Sequence, residues 1–224
     1  MSEFTLLIGY RHTSSWSLRG WMMMRKTGAP FEEVMIRYRR PEDKARLLAI
    51  SPTGKVPLLI HRLPDGAVRH VFDSIAIGEY LAEIFPERQL WPRDQTARAF
   101  ARSIAAEMHS SFRDLRDRLD MNLLARVSGV QVDDEPVASD LARIQSIWTE
   151  ARQRFGEAGG GPYLFGGFTI ADAMFAPVAT RFRTYGVTLE PVPQAYADAM
   201  LADPDMRAWE DAARREDPPE PRPS

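Results

Sequence analysis

Ser14 and Ser15 are adjacent hydroxyls lying between a short apolar run and a stretch of helical period. A helix N-terminus there would present unpaired backbone N–H groups and a partial positive charge. A serine hydroxyl at that point can donate a hydrogen bond to an anion. Together these favour the charged form of a thiol, whose free pKa is about 8.5. The chain has no cysteine, so the sulfur would have to arrive with a ligand. The serine would then stabilise the nucleophile without being one. Taken alone, such a pair is most simply a helix cap, worth about 1 kcal/mol.

Three other segments carry chemistry or capping. Ser51-Pro52-Thr53-Gly54-Lys55-Val56-Pro57 is turn-rich and ends in a proline at the start of an apolar run. Asp73-Ser74 stands at the head of an amphipathic segment, with Ser74 a natural N-cap. Thr169-Ile170-Ala171-Asp172 heads a largely apolar stretch of helical period. The histidines His12, His61, His70 and His109 have no metal-ligand spacing, and no metal is expected. Without cysteine, disulfides, thiolate metal sites and thiol–disulfide exchange through the chain itself are excluded.

The elements that must position these residues follow from periodicity. Residues 5–9 read as a buried strand. A helix follows from Ser15, with Leu18, Trp21, Met22 and Arg25 at helical spacing, and ends at Gly28 and Pro30. Residues 33–38 alternate and read as a second strand, parallel to the first by the length of the crossover. A polar helix at 42–50 leads to a hairpin turning at Asp65-Gly66, and a helix at 74–85 closes the unit. Beyond a linker at 86–92 the periodicity is helical only. A long helix is expected at 96–126, then helices at 136–155 and 169–185, and two shorter ones within 193–216. Residues 217–224 hold four prolines and read as a disordered tail.

The order β-α-β-α-β-β-α, a linker and then helices resembles the cytosolic glutathione transferases. The resemblance implies a two-domain protein. A thioredoxin-like glutathione-binding domain would span residues 1–86, and an all-helical domain residues 92–216. The segment from His12 to Arg19 is similar to the zeta-class pattern, with Trp16 standing where that class has cysteine. Ungapped alignment favours Ser14 as the catalytic serine. The S-x-x-x-R spacing of delta and theta enzymes selects Ser15 instead. The resemblance places Val56, before a cis proline, against the cysteinyl backbone of glutathione, and Lys55 near its glycine carboxylate. Asp73 and Ser74 would take the γ-glutamyl end. Trp16, Met108 and Phe112 would line the pocket for a second substrate.

The implied function is a glutathione S-transferase, with glutathione as co-substrate and a small hydrophobic electrophile as acceptor. The alternatives are a glutathione-dependent isomerase of a small unsaturated acid and a non-catalytic binding module. A homodimer is also implied. The formal net charge of -2 gives no electrostatic footing for nucleic acid or an acidic membrane. No stretch approaches the roughly 18 apolar residues of a membrane span, and a cytoplasmic location is expected.

Overall fold

The structure is a computed structural model that describes residues 3–38 and 40–217. Of the tail expected at 217–224, residues 218–224 lie outside the described residues. The first half of the chain contains β1 (Phe4–Ile8), α1 (Ser15–Thr27), β2 (Phe31–Met35), α2 (Pro41–Ile50), β3 (Leu58–Arg62), β4 (Val68–Phe72) and α3 (Ser74–Ile84). The strands form one mixed sheet in the order β2-β1-β3-β4. β1 and β2 run parallel, with Phe4 opposite Phe31, while β3 is antiparallel to both β1 and β4. This is the thioredoxin-like β-α-β-α-β-β-α order that the sequence implies.

Alternation along β1 sends its side chains to opposite faces. Phe4, Leu6 and Ile8 join α1 and α3 in the main core. Leu7 instead packs with Leu47 of α2, Val56, Leu58 and Ile60 in a smaller cluster. Helix α1 stops where expected: Gly28 takes φ 72°, and its N–H reaches Arg25 O. A left-handed position of this kind favours glycine. The run Trp21 to Met24 is wholly buried, as core methionines at helical spacing should be.

The second half is helical, with α4 (Gln95–Ser110), α5 (Arg113–Arg118), α6 (Glu135–Ala151), α7 (Ile170–Tyr185), α8 (Pro191–Ala202) and α9 (Pro204–Arg214). Helix α7 is buried along almost its entire length. The main core runs continuously from the sheet through α1 and α3 into α4, α6 and α7. Asp172 closes the capping box at the head of α7 and also reaches back to accept the Leu164 N–H at 3.0 Å.

Three expectations need correction. The second strand is Phe31–Met35, not residues 33–38. The N-cap of α3 is Asp73, whose carboxylate accepts the Ile75 N–H at 2.9 Å, so Ser74 becomes the first helical residue. The long helix expected at 96–126 breaks after Ser110, where Phe112 takes φ 62°. Arg116 holds this break. It donates to the carbonyl oxygens of Ser111 and Met108 near the end of α4, which helix geometry leaves without intrahelical partners.

Candidate functional site

The C-terminal end of β1 delivers the chain to the head of α1. Ser14 is the N-cap: its Oγ accepts the Ser17 N–H at 3.3 Å and donates to Ser17 Oγ at 2.7 Å. Ser17 Oγ in turn accepts the Gly9 N–H at 2.9 Å, tying the end of β1 to the helix. Ser15 begins the helix, and its hydroxyl makes no hydrogen bond among the described residues. Both serines line a cavity of about 530 Å³ shared with Trp16, Tyr38, Lys55 and Val56.

A cavity of about 360 Å³ adjoins it, since Trp16, Lys55 and Val56 line both. Its far wall is Asp73, Ser74 and His109. The Val56–Pro57 peptide is cis. Val56 is buried, and its N–H donates to the Tyr38 hydroxyl at 3.0 Å. Lys55 is exposed and makes no ion pair among the described residues.

Asp73 and Ser74 bring the N-terminus of α3 to the second cavity. Asp73 Oδ1 caps the helix, while Oδ2 lies 3.3 Å from His109 Nε2. Among the described residues the buried Ser74 Oγ and His109 Nδ1 have no hydrogen-bond partner. A buried polar atom without a partner costs about 1–3 kcal/mol, which a ligand could recover.

Trp16 lines both cavities and meets groups from both halves of the molecule. The guanidinium of Arg19 sits 4.2 Å from the Trp16 ring centroid and that of Arg116 4.8 Å, with His109 edge-on at 5.3 Å. Arg19 is fully buried, and its Nε donates to Met174 O of α7 at 2.9 Å. Burial, with Arg116 and Arg181 nearby, pulls its pKa well below the ordinary arginine value. Its visible work is to join α1 to α7.

Ser14, Ser15, Trp16, Lys55, Val56, Asp73 and Ser74 therefore line one continuous groove. Met108 and Phe112 do not. Both are buried in the main core and line neither cavity. From α4 the groove receives His109 instead, one residue after Met108. Tyr38 is a second residue that the sequence reading passed over, and no local pattern marks it. His12 lies near Glu216, outside both cavities. A larger cavity of about 670 Å³, lined by Trp91, Arg93, Arg154 and Phe155, contains none of the residues singled out from the sequence. Among the described residues no cluster of His, Asp and Glu is arranged to hold a metal ion.

In chemical terms the groove offers hydroxyls at a helix N-terminus, a cation at Lys55, and a second helix N-terminus beside a carboxylate. That suits an extended zwitterionic ligand with a nucleophile near Ser14 and Ser15 and a carboxylate near Ser74.

Residues 13–84 match the glutathione S-transferase N-terminal domain family, and residues 97–212 match the corresponding C-terminal domain family. A probable maleylacetoacetate isomerase of Caenorhabditis elegans is 27% identical over 187 residues, covering 82% of this chain and 81% of that protein. The maleylacetoacetate isomerase of Pseudomonas aeruginosa is 26% identical over 211 residues, covering 88% of this chain and 91% of its own. A glutathione transferase homolog from Burkholderia, solved with bound glutathione, superposes with a TM-score of 0.68. It is 22% identical, over 96% of this chain and 99% of the other, and so supports the fold.

Proposed function

The chain belongs to the glutathione S-transferase family, and from that premise we propose that it conjugates glutathione to a small hydrophobic electrophile. The observation that carries this reading is the convergence of Ser14, Ser15, Lys55, Val56, Asp73 and Ser74 on two adjoining cavities. Glutathione would lie along them. Its γ-glutamyl carboxylate meets Ser74 and the head of α3, and its ammonium meets Asp73. Its cysteinyl backbone runs beside Val56, its glycine carboxylate sits near Lys55, and its sulfur rests at the head of α1.

Of the two serines, we assign the sulfur contact to Ser15. Ser14 has a single hydroxyl proton, and that proton is engaged by Ser17. The Ser15 hydroxyl has no partner among the described residues. The thiol proton leaves to solvent, and the thiolate is held by the Ser15 O–H and the helix N-terminus. The sulfur then bonds to the electrophilic carbon and the displaced group departs with the bonding pair. Rate comes from proximity and from the raised thiolate fraction. Trp16 offers the acceptor an aromatic wall. A cytoplasmic homodimer belongs to the same proposal.

The names of the two relatives favour a second reading, glutathione-dependent isomerisation of a small unsaturated acid. Trp16, in place of the zeta-class cysteine, weighs against it. Steady-state assays with purified protein and glutathione separate the readings. Thioether formation from a chloronitroarene, without cis–trans conversion of an unsaturated diacid, supports the transferase. Conversion of the diacid without thioether formation supports the isomerase. Glutathione binding with neither activity leaves a binding module.

A further inference from the structure

We propose that Glu216, just beyond α9, is a positioning residue for the serines at the head of α1, because it fixes the peptide unit to which Ser14 is bonded. The inference rests on the reading that the sulfur of glutathione is held at that helix.

The loop between β1 and α1 delivers the serines, and its residues Tyr10 and Thr13 line their cavity. A connecting segment is mobile unless its backbone groups are bound. Within the loop, the Tyr10 carbonyl accepts the Ser14 N–H at 2.8 Å and the Thr13 N–H at 3.3 Å. The helical half of the molecule binds the loop from outside. Glu216 Oε2 accepts the Arg11 N–H at 2.8 Å. The Trp209 indole N–H donates to the Arg11 carbonyl at 3.2 Å, and the Leu123 N–H donates to the His12 carbonyl at 3.0 Å.

The Tyr10 carbonyl and the Arg11 N–H belong to one peptide unit, which is planar and stiff. Glu216 therefore grips one end of a plane whose other end holds Ser14. Donation to a carboxylate also polarises that unit and strengthens its carbonyl as an acceptor. The Glu216 side chain is only 5% exposed. Among the described residues its carboxylate accepts hydrogen bonds from Arg11 alone, the second from Nη1 at 3.0 Å. A carboxylate so buried is costly without such partners. Arg11 is held on its other side by Glu33 of β2, whose second oxygen accepts the Trp21 indole N–H at 2.8 Å. A residue 205 positions along the chain thus sets where the serines sit.

Ultraviolet titration of glutathione bound to the full chain tests this, with Glu216→Ala, Glu216→Gln and Asp205→Ala beside the parent protein. Asp205→Ala is the control: it removes the ion pairs of α9 with Arg25 and Lys26 and no bond of the loop. Glu216→Ala frees the plane and should raise the apparent pKa of the bound thiol by roughly half a unit, the order of a helix N-terminus effect. Glu216→Gln keeps an acceptor for the Arg11 N–H and should hold the thiol near its parent value. The sign is diagnostic, since loss of a nearby negative charge alone would lower the thiol pKa in both variants. A lowered or unchanged value in Glu216→Ala overturns the assignment, and so does an equal rise in Asp205→Ala. Thermal midpoints show whether each variant is folded. Trp209→Phe releases the Arg11 carbonyl while keeping a ring in the core. It should also raise the thiol pKa, and it carries the test if Glu216→Ala does not fold. If the parent protein shows no thiolate band, the reading of the site falls and the role of Glu216 falls with it. If the parent shows the band and the variants do not shift it, Glu216 alone is misassigned.

Discussion

His109 on α4 places its Nε2 3.3 Å from Oδ2 of Asp73, the N-cap of α3. One carboxylate thus caps a helix, links the two halves of the molecule and faces the candidate ligand groove. These tasks can be separated. Asp73→Asn keeps a capping oxygen and tolerates the φ of 78° better than most residues. It should leave the thermal midpoint nearly unchanged while lowering glutathione affinity, because the ammonium loses its counter-charge. Asp73→Ala removes cap and charge together and should also cost about 1 kcal/mol of stability. Denaturation beside calorimetry reads both effects.

The two serines should part company. Ser14→Ala removes a hydroxyl held at both ends by Ser17. Stability should fall by about 1 kcal/mol, with a small effect on the bound thiol. Ser15→Ala should leave stability close to the parent and raise the apparent pKa of bound glutathione. Urea denaturation of each variant, with the absorbance of the bound thiolate against pH, checks the pair.

Gly20 of α1 is fixed by the groove on its other side. A Cβ there would lie 2.9 Å from Pro57 Cγ and 3.0 Å from Pro57 Cβ. A proline ring has little freedom to yield. Gly20→Ala should therefore displace the Val56–Pro57 segment and lower glutathione affinity and thermal stability together. A variant that keeps full affinity would show that the groove tolerates a shift of this segment.

Asp172 ties the loop before α7 to the helix head, and burial raises its pKa to about 6. A raised carboxyl binds its proton more tightly folded than unfolded. Its contribution to stability is therefore fullest below about pH 4 and is lost as pH rises through about 6. Asp172→Asn should flatten stability against pH across that window. It should also leave a buried N–H short of an acceptor, at about 1–3 kcal/mol. Chemical denaturation at several pH values measures both.

The order of elements was legible because each boundary carried local chemistry, such as Gly28 after α1, Asp65-Gly66 in the hairpin and Thr169 before α7. The break at Phe112 was not. Ile104, Met108, Leu115 and Leu119 keep helical spacing through it, and Phe112 is itself buried, so the apolar period hides the turn. The candidate residues Ser14, Ser15, Lys55, Val56, Asp73 and Ser74 stand out by motif because they lie at or shortly before the start of an element. Tyr38 and His109 could not, since their importance arises from contacts with Val56 and Asp73 that are distant in the chain.

The most direct test of the account is the ultraviolet difference spectrum of glutathione bound to the protein, followed from about pH 5 to 9. Free thiols ionise near 8.5. Thiolate stabilisation at the head of α1 predicts a thiolate band that persists well below that value and weakens in Ser15→Ala. Glutathione that binds but shows no thiolate band near neutral pH would contradict the proposed transferase mechanism.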